Sequence, residues 1–249
     1  MSTDEKQIAF FLDFENIALG VRDSKKLRFD IDLMLQRLLE KGTILVKRAY
    51  GDWSRYKTYR QDLHSAAIEL IEIPQRSQGG KNSADIRLVV DAMDLCYSKD
   101  HVNTFAIASG DSDFSPLVSK LRENAKYVIG LGVENSTSDL LVENCDEFIF
   151  YGDLIPSRKT ALKPSNIPPE KAEAFEVVIS ATRALEREGK TTMWASMVKE
   201  TVKRKKPGFA ESHYGYSSFS KLLEEAENLK LLQLRKDERS GSYIISHLK

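Results

Sequence analysis

The chain has 249 residues, of which 41% are hydrophobic and 30% are charged. This apolar content supports a packed core and excludes a chain that is disordered throughout. Basic and acidic residues both number 37, so the net charge is zero and a uniformly basic nucleic-acid coat is excluded. The charges are unevenly placed, because residues 1–150 contain 19 basic and 24 acidic side chains whereas residues 151–249 contain 18 and 13. Two parts of opposite net charge indicate two functions.

Membrane insertion and secretion are not expected. The longest apolar runs have about five residues, whereas a membrane-spanning helix needs ~20. The first residues lack the basic and then apolar segments of a secretory signal. The two cysteines, Cys96 and Cys145, are too few for a zinc cage or a disulfide framework. They fit a reducing compartment, and we expect a cytoplasmic protein.

Predicted strands and helices alternate through the first part of the chain. The strands are predicted at 7–14, 43–50, 67–74, 104–108, 127–131 and 147–151. The helices are predicted at 31–39, 56–67, 84–97, 114–123 and 138–144, and the third places Ile86, Val89, Val90, Met93 and Cys96 on one side. This alternation predicts an α/β fold with a parallel sheet and helices on both faces. Such sheets bind ligands beyond the carboxyl ends of their strands.

The second part of the chain has a different pattern. Residues 155–169 hold four of the seven prolines and are predicted to form a linker. Beyond it, helices are predicted at 169–187, 193–205 and 217–228, and strands at 231–235 and 242–246. Three helices and a hairpin are the plan of a winged helix, which binds nucleic acids or partners. We therefore expect domains at 1–154 and 170–249.

Four carboxylates lie near predicted strand ends or at the start of a helix. Asp13 ends the first strand, Asp111 and Asp113 follow the fourth, and Asp85 opens the helix at 84–97. In a parallel sheet these acids would meet at one edge and repel one another. Mg²⁺ or Mn²⁺ removes such repulsion because hard cations prefer oxygen ligands. A site of this kind can hold a phosphodiester and activate a water.

Each acid also has a structural explanation. Asp13 and Asp113 would cap the helices that follow them. Asp111 would form a turn beside Gly110, and Asp85 suits the first turn of a helix, where negative charge is favourable. Any one acid is more simply explained in this way, but four at one sheet edge favour a functional site.

Two polar residues next to these acids have open roles. Asn16 either caps a helix or orients Asp13 or a water, and Ser109 either caps a helix or binds phosphate. The chain lacks a G-x-x-x-x-G-K-[ST] phosphate loop, which disfavours a nucleoside triphosphatase. The four histidines show no metal-ligand or catalytic-triad spacing.

Three segments resemble the signatures of the NYN domain, a branch of the PIN-like nuclease superfamily. They are 11–16 (FLDFEN), 81–93 (KNSADIRLVVDAM) and 109–118 (SGDSDFSPLV). The resemblance covers about residues 6–153 and implies a Rossmann-like sheet with an acidic, metal-dependent ribonuclease site. It gives catalytic and metal-binding roles to Asp13, Asp85, Asp111 and Asp113, with Asn16 and Ser109 as supporting site residues.

The second part carries a basic stretch followed by aromatic residues. The predicted RNA-binding residues are Lys199, Lys203, Arg204, Lys205, Lys206, Tyr214, Tyr216 and Lys221. Cations supply salt-sensitive contacts to phosphates, and aromatic rings stack on unpaired bases. Surface lysines that suit a helix C-terminus are the alternative for the basic stretch, and packing is an equal alternative for both tyrosines. Phe219, Leu222 and Leu223 are expected in the core.

The region around this stretch resembles the LOTUS domain, also called OST-HTH. The similarity rests on 198–223, including PGF at 207–209 and YGYSSFSKLL at 214–223, and covers about residues 170–248. It implies binding of RNA, including G-rich or G-quadruplex RNA, and in some members of protein partners. A NYN domain followed by a LOTUS domain is a pairing found in bacteria.

These observations lead to an enzyme hypothesis with alternatives. The first hypothesis is a Mg²⁺- or Mn²⁺-dependent endoribonuclease whose C-terminal module binds the RNA substrate. The second is a non-catalytic RNA-binding regulator, and the third assigns the C-terminal module to a protein partner or to a homo-oligomer. Arg55, Arg60 and Arg76 are candidate phosphate contacts of the first domain, although exposed helix surface explains them equally well.

Overall fold

The computed structural model describes residues 5–24, 28–73, 83–155 and 169–248. These residues form two compact units, one N-terminal and one C-terminal, and each is described by itself. Most of the predicted linker at 155–169, the start of the motif at 81–93 and Arg76 lie outside the described residues. In the described residues no helix is both long and apolar enough to cross a bilayer.

A parallel sheet forms the centre of the N-terminal unit. Its strands in the described residues are β1 (Lys6–Asp13), β2 (Gly42–Gly51), β3 (Glu69–Glu72), β4 (Thr104–Ala108), β5 (Tyr127–Gly132) and β6 (Glu147–Phe150). They lie in the order β3-β2-β1-β4-β5-β6, and every neighbouring pair is parallel. The predicted parallel α/β sheet is therefore confirmed. The strand order reverses between β1 and β4, and ligands of open α/β sheets bind in the crevice beyond the carboxyl ends of strands at such a point.

Helices cover both faces of this sheet, as predicted. They are α1 (Phe14–Asp23), α2 (Ile31–Lys41), α3 (Arg60–Ser65), α4 (Ser83–Ser98), α5 (Ser115–Glu123) and α6 (Asp139–Asn144). Successive side chains of a strand point to opposite faces. Ile8, Phe10 and Leu12 of β1 accordingly pack with α1, α2 and α3, whereas Ala9 and Phe11 pack with α4, α5 and α6.

Helix α1 has no counterpart among the predicted elements. The sequence pattern places Phe14 at the end of the first strand, but Phe14 is the first residue of α1, and Asp13 caps the helix. The helix is short and contains Gly20, a weak helix former, although its buried residues recur at helical spacing. Burial of Phe14, Ile17 and Val21 against the sheet stabilises it instead. This helix matters because it begins directly at the end of β1.

Helix α4 packs against the sheet with only part of the predicted side, since Cys96 is buried and Val89 and Met93 are partly buried against the core. Its buried residues include Leu88, Ala92 and Leu95, whereas Ile86 is 62% exposed and Val90 is 56% exposed. Apolar residues cover much of the circumference of this helix, so the hydrophobic pattern alone could not show which of them meet the sheet. The chosen side places Asp85 at the start of the helix in a half-buried position.

The C-terminal unit combines helices with a small antiparallel sheet. Its described elements are α7 (Pro169–Arg187), β7 (Met193–Trp194), α8 (Ala195–Lys205), α9 (Phe219–Asn228), β8 (Leu232–Lys236) and β9 (Tyr243–Leu248). The strand order is β7-β9-β8. Met193 and Trp194 pair with β9 and are not helical, which corrects the predicted helix at 193–205. Phe219, Leu222 and Leu223 are buried as predicted.

Candidate active site

Asp13 lies at the carboxyl end of β1, beside the point where the strand order reverses. Its Oδ1 accepts a hydrogen bond from the backbone N–H of Asn16 (3.3 Å), and its Oδ2 accepts one from Ser109 Oγ (2.9 Å). The side chain of Asp13 is almost wholly buried, and Ser109 is fully buried. Both oxygens of this carboxylate are therefore held in a fixed orientation.

Ser109 also connects Asp13 with the acids that follow β4. Ser109 Oγ accepts a hydrogen bond from the backbone N–H of Asp111 (3.2 Å). Asp111 Oδ1 in turn accepts one from the N–H of Asp113 (2.9 Å) and caps the short turn at Ser112–Phe114. A continuous hydrogen-bonded chain thus runs from β1 to the segment after β4. The predicted supporting residue Ser109 is its central link.

Asn16 fixes the backbone of the same segment. Its Oδ1 accepts a hydrogen bond from the N–H of Gly110 (2.8 Å), and Gly110 O accepts one from Ser138 N–H (2.9 Å). Gly110 has no room for a side chain, since an added Cβ would lie 2.2 Å from Ser136 O. Asn16 therefore acts as a positioning residue that ties α1 to the loop after β4.

Two carboxylates at this edge of the sheet, those of Asp13 and Asp85, have raised pKa values. Burial, together with the charges of Asp85 and Glu15, raises the pKa of Asp13 to about 7 against the opposing hydrogen bonds from Ser109 and Asn16. Burial also raises the pKa of Asp85, and the charges of Asp111, Asp113 and Glu15 raise it further. Asp85 therefore interacts electrostatically with each of the other three predicted acids.

Glu15 is a fifth member of this group that the sequence interpretation missed. Its Oε1 accepts a hydrogen bond from the N–H of Asp52 (3.2 Å), and its Oε2 lies 3.9 Å from Arg55 Nη1. Glu15 acts on the pKa of both Asp13 and Asp85. Its position two residues after Asp13, in the first turn of a helix, is the signal that could have identified it. We refer to Asp13, Glu15, Asp85, Asp111 and Asp113 as the acidic cluster.

Comparison with known proteins assigns the N-terminal unit to a family. Residues 7–155 match the NYN domain. The chain belongs to the NYN domain family. An uncharacterized protein of Methanocaldococcus jannaschii is 30% identical over 150 residues, which are 60% of this chain and 57% of that protein. The chain therefore spans little more than half the length of this relative.

A solved structure supports the same fold. The crystal structure of a protein of unknown function from Vibrio parahaemolyticus matches 62% of this chain and 98% of its own, with a TM-score of 0.55 and 23% sequence identity. The NYN domain belongs to the PIN-like nuclease superfamily, which is consistent with a hydrolase. The acidic cluster lies within the matched NYN domain.

The residues of the acidic cluster suit a divalent cation. PIN-like nuclease domains generally use divalent metals, and carboxylate oxygens are the donors that Mg²⁺ and Mn²⁺ prefer. A cation would offset the mutual repulsion that raises the pKa of Asp85. In the described part of the chain, however, no three His, Cys, Asp or Glu side chains lie close enough together to hold a metal ion. The donor chemistry fits a cation, whereas the donors are not assembled into a cage.

Asp91, which lies further along α4 in the NYN motif, has a separate structural role. Its Oδ2 accepts a hydrogen bond from the hydroxyl of Tyr50 (2.9 Å), and its Oδ1 accepts one from Arg87 Nε (2.9 Å). Arg48 lies 3.7 Å away. These contacts tie α4 to β2, so Asp91 belongs to the packing of the NYN domain and not to the acidic cluster.

In the C-terminal unit, the structure pairs several predicted RNA-binding lysines with glutamates. Lys199 donates to Glu211 (2.6 Å) and Lys221 donates to Glu224 (2.6 Å). Lys206 donates to Glu173 and to the hydroxyl of Tyr214. These lysines already have anionic partners, so any contact with phosphate must compete with a carboxylate.

The other predicted RNA-binding residues differ in their accessibility. Lys203 is exposed, while Arg204 donates to Thr201 Oγ1 (3.2 Å) and Lys205 donates to Ser180 Oγ (2.9 Å). Tyr214 is half-buried, with its ring stacked on Phe209. Tyr216 is 6% exposed and belongs to the core. Packing therefore accounts for Tyr216, and the prediction that it stacks on bases is corrected.

Proposed function

We propose that the chain is a metal-dependent endoribonuclease whose NYN domain hydrolyses phosphodiester bonds of RNA. One observation carries this proposal: Ser109 joins Asp13 and Asp111 by hydrogen bonds at the point where the strand order reverses. This is the place where α/β sheets bind ligands. The proposal also gives a reason for concentrating negative charge there, since a packed core alone gains nothing from it.

The residues of the acidic cluster have distinct roles in this proposal. Asp13, Asp85, Asp111 and Asp113 would hold Mg²⁺ or Mn²⁺, which when bound lowers the pKa of a water and neutralises phosphate charge. Burial raises the pKa of Asp13 to about 7, and a bound cation would favour its ionised form. Ser109 orients Asp13 relative to Asp111, and Asn16 fixes the loop that carries Asp111. Glu15 adds negative charge from α1.

The C-terminal unit would supply affinity for the RNA. We propose that residues 170–249 form a LOTUS-like winged helix, joined to the NYN domain at 1–154 by the linker at 155–169. The succession of helices followed by the hairpin of β8 and β9 supports this architecture. The exposed cations Lys203, Arg235, Lys236 and Arg239 are the candidates for phosphate contacts. We expect the protein to act in the cytoplasm, where RNA is available.

A cleavage assay with the full chain tests the proposed enzyme. Labelled single-stranded, hairpin and G-rich RNAs are incubated with Mn²⁺, with Mg²⁺ or with EDTA. We expect cleavage that EDTA abolishes and that Asp111→Asn reduces by about 10²- to 10³-fold, as for loss of one electrostatic contact to a transition state. Asp94→Asn, which alters an exposed acid of α4 outside the cluster, is the control and should cleave like the parent. Absence of cleavage in every condition would contradict the proposal.

A non-catalytic RNA-binding regulator is the second candidate. The described residues contain no assembled group of three metal ligands, and both oxygens of Asp13 already accept hydrogen bonds. This candidate predicts that the parent binds RNA without cutting it and that Asp111→Asn leaves the affinity unchanged. The same assay, with binding measured in parallel, separates the two functions.

A further inference from the structure

A short segment after β2 stands next to the acidic cluster. β2 pairs with β1 so that Tyr50 lies opposite Asp13, and the chain then leaves the sheet at the same edge. The segment is residues 52–60, which we call the β2–α3 segment. It carries Arg55, Lys57 and Arg60, all of them exposed.

Three contacts attach the β2–α3 segment to the residues that follow Asp13. Glu15 Oε1 accepts a hydrogen bond from Asp52 N–H (3.2 Å), and Glu15 Oε2 lies 3.9 Å from Arg55. The ring of Tyr56 packs edge-on against Phe14, with the ring centres 5.1 Å apart. Burial raises the pKa of Tyr56, and the charge of Glu15 raises it further. The segment is thus in contact with the cluster and within its electrostatic field.

The base of the segment is firmly anchored. Trp53 is 1% exposed, its Nε1 donates to Ile71 O (3.0 Å), and its backbone N–H donates to Glu72 Oε1 (3.2 Å). Asp52 is buried and accepts hydrogen bonds from Ser54 N–H and Oγ. A rigid base of this kind holds the exposed cations beyond it in place, which lowers the entropic cost of binding.

An RNA strand that enters a site with five carboxylates needs cations close by to hold its phosphates, since phosphate contacts supply most of the affinity and position the strand. Arg55 is both close to the carboxylates and accessible to a phosphate, because it neighbours Glu15 while its side chain is 52% exposed. We propose that the β2–α3 segment binds the phosphates of an RNA strand on the β2 side of the acidic cluster, with Arg55 and Lys57 as the contacts. This inference rests on the proposed ribonuclease function and adds where the strand lies.

The test compares Arg55→Gln/Lys57→Gln with two controls in the full chain. Arg55→Lys/Lys57→Arg keeps both charges, and Lys99→Gln/Lys120→Gln removes two exposed cations near the amino-terminal edge of the sheet. Steady-state cleavage of a short single-stranded RNA is measured in Mn²⁺. Binding of the same RNA is measured in EDTA at several salt concentrations.

We expect the glutamine variant to raise KM about tenfold at low salt and to reduce the slope of log affinity against log salt by about 1.4, as for two lost contacts to a single strand. The effect on kcat should be smaller. Arg55→Lys/Lys57→Arg should recover most of the affinity lost in the glutamine variant, and Lys99→Gln/Lys120→Gln should resemble the parent. An unchanged KM and slope in a parent that cleaves RNA would overturn this inference and leave the ribonuclease proposal standing. A parent that neither cleaves nor binds would overturn the ribonuclease proposal itself, and this inference with it.

Discussion

The acidic cluster of the NYN domain and the basic stretch of the C-terminal unit differ in how their charged side chains are arranged. In the cluster, the pKa values of Asp13 and Asp85 are raised by burial and by neighbouring carboxylates. In the C-terminal unit, hydrogen bonds from Lys206 and Lys199 lower the pKa values of Glu173 and Glu211. Charges of one sign are crowded together in the first region, whereas opposite charges are paired in the second.

The two arrangements of charge differ in what they cost the folded protein. A paired lysine on the surface contributes little and is a common feature of folded proteins. A buried carboxylate among other carboxylates is costly, so its presence needs an explanation such as a bound cation. The cluster is therefore the stronger indicator of activity, although the basic stretch is more conspicuous in the sequence.

The largest expected effect comes from the buried charge of Asp13. Its pKa in the folded state, about 7, is above its ordinary value of 3.8. The contribution of protonated Asp13 to the free energy of unfolding is therefore complete below about pH 4. It is lost as the pH rises to 7, which lowers the free energy of unfolding by up to about 4 kcal/mol. Asp13→Asn should remove this loss, so that the variant gains stability relative to the parent as the pH rises.

Urea unfolding in EDTA from pH 4 to pH 8 checks this expectation. Asp94→Asn, at an exposed position of α4, is the matched control and should follow the parent at every pH. If the free energy of unfolding of Asp13→Asn also changed with pH as that of the parent does, ionisation of Asp13 would not destabilise the fold as we expect. The contrast between the two regions would then be smaller.

A smaller effect is expected from the loop that holds Asp111. Gly110→Ala would place a methyl group 2.2 Å from Ser136 O, which forces the backbone to move and should cost about 1–3 kcal/mol. The movement would also disturb the hydrogen bond from Gly110 N–H to Asn16 and reduce cleavage. Gly152→Ala is the control, because nothing lies within 4 Å of its added Cβ. Equal unfolding midpoints for the two variants would show that the loop adjusts freely.

The smallest effect is expected in the C-terminal unit, from neutralising a paired lysine. Lys199→Gln should leave the salt dependence of RNA binding almost unchanged, because Lys199 is engaged with Glu211. Lys203→Gln removes an exposed cation from the same helix. It should reduce the slope of log affinity against log salt concentration by about 0.7 for each lost phosphate contact. Binding titrations at several salt concentrations compare the two variants. A larger change for Lys199→Gln than for Lys203→Gln would reverse our interpretation of the pairing.

The sequence predicted the features that depend on local pattern. Alternating apolar runs predicted the strands. Because neighbouring parallel strands end together, they also predicted that the carboxylates after those strands lie at one edge of the sheet. The motifs also identified the NYN domain. Helix α1 was not predicted, because tertiary packing and not the helix propensity of residues such as Phe14 and Gly20 stabilises it.

Features that depend on distant partners could not be predicted. The link from Ser109 to both Asp13 and Asp111 joins residues 96 positions apart in sequence, and no spacing rule indicates it. The pairing of Lys206 with Glu173 likewise depends on how α7 and α8 pack. Charge counts along the chain therefore located the acidic and basic regions but could not show which charges are neutralised.

Direct measurement of Mn²⁺ binding tests the central claim, that the acidic cluster is a cation site. The parent and the Asp111→Asn/Asp113→Asn variant are titrated with Mn²⁺ by calorimetry at pH 7.5, and their unfolding temperatures in EDTA are compared. We predict saturable binding to the parent that is lost in the variant, with both folding alike in EDTA. No binding to the parent, or equal binding to both, would contradict the account.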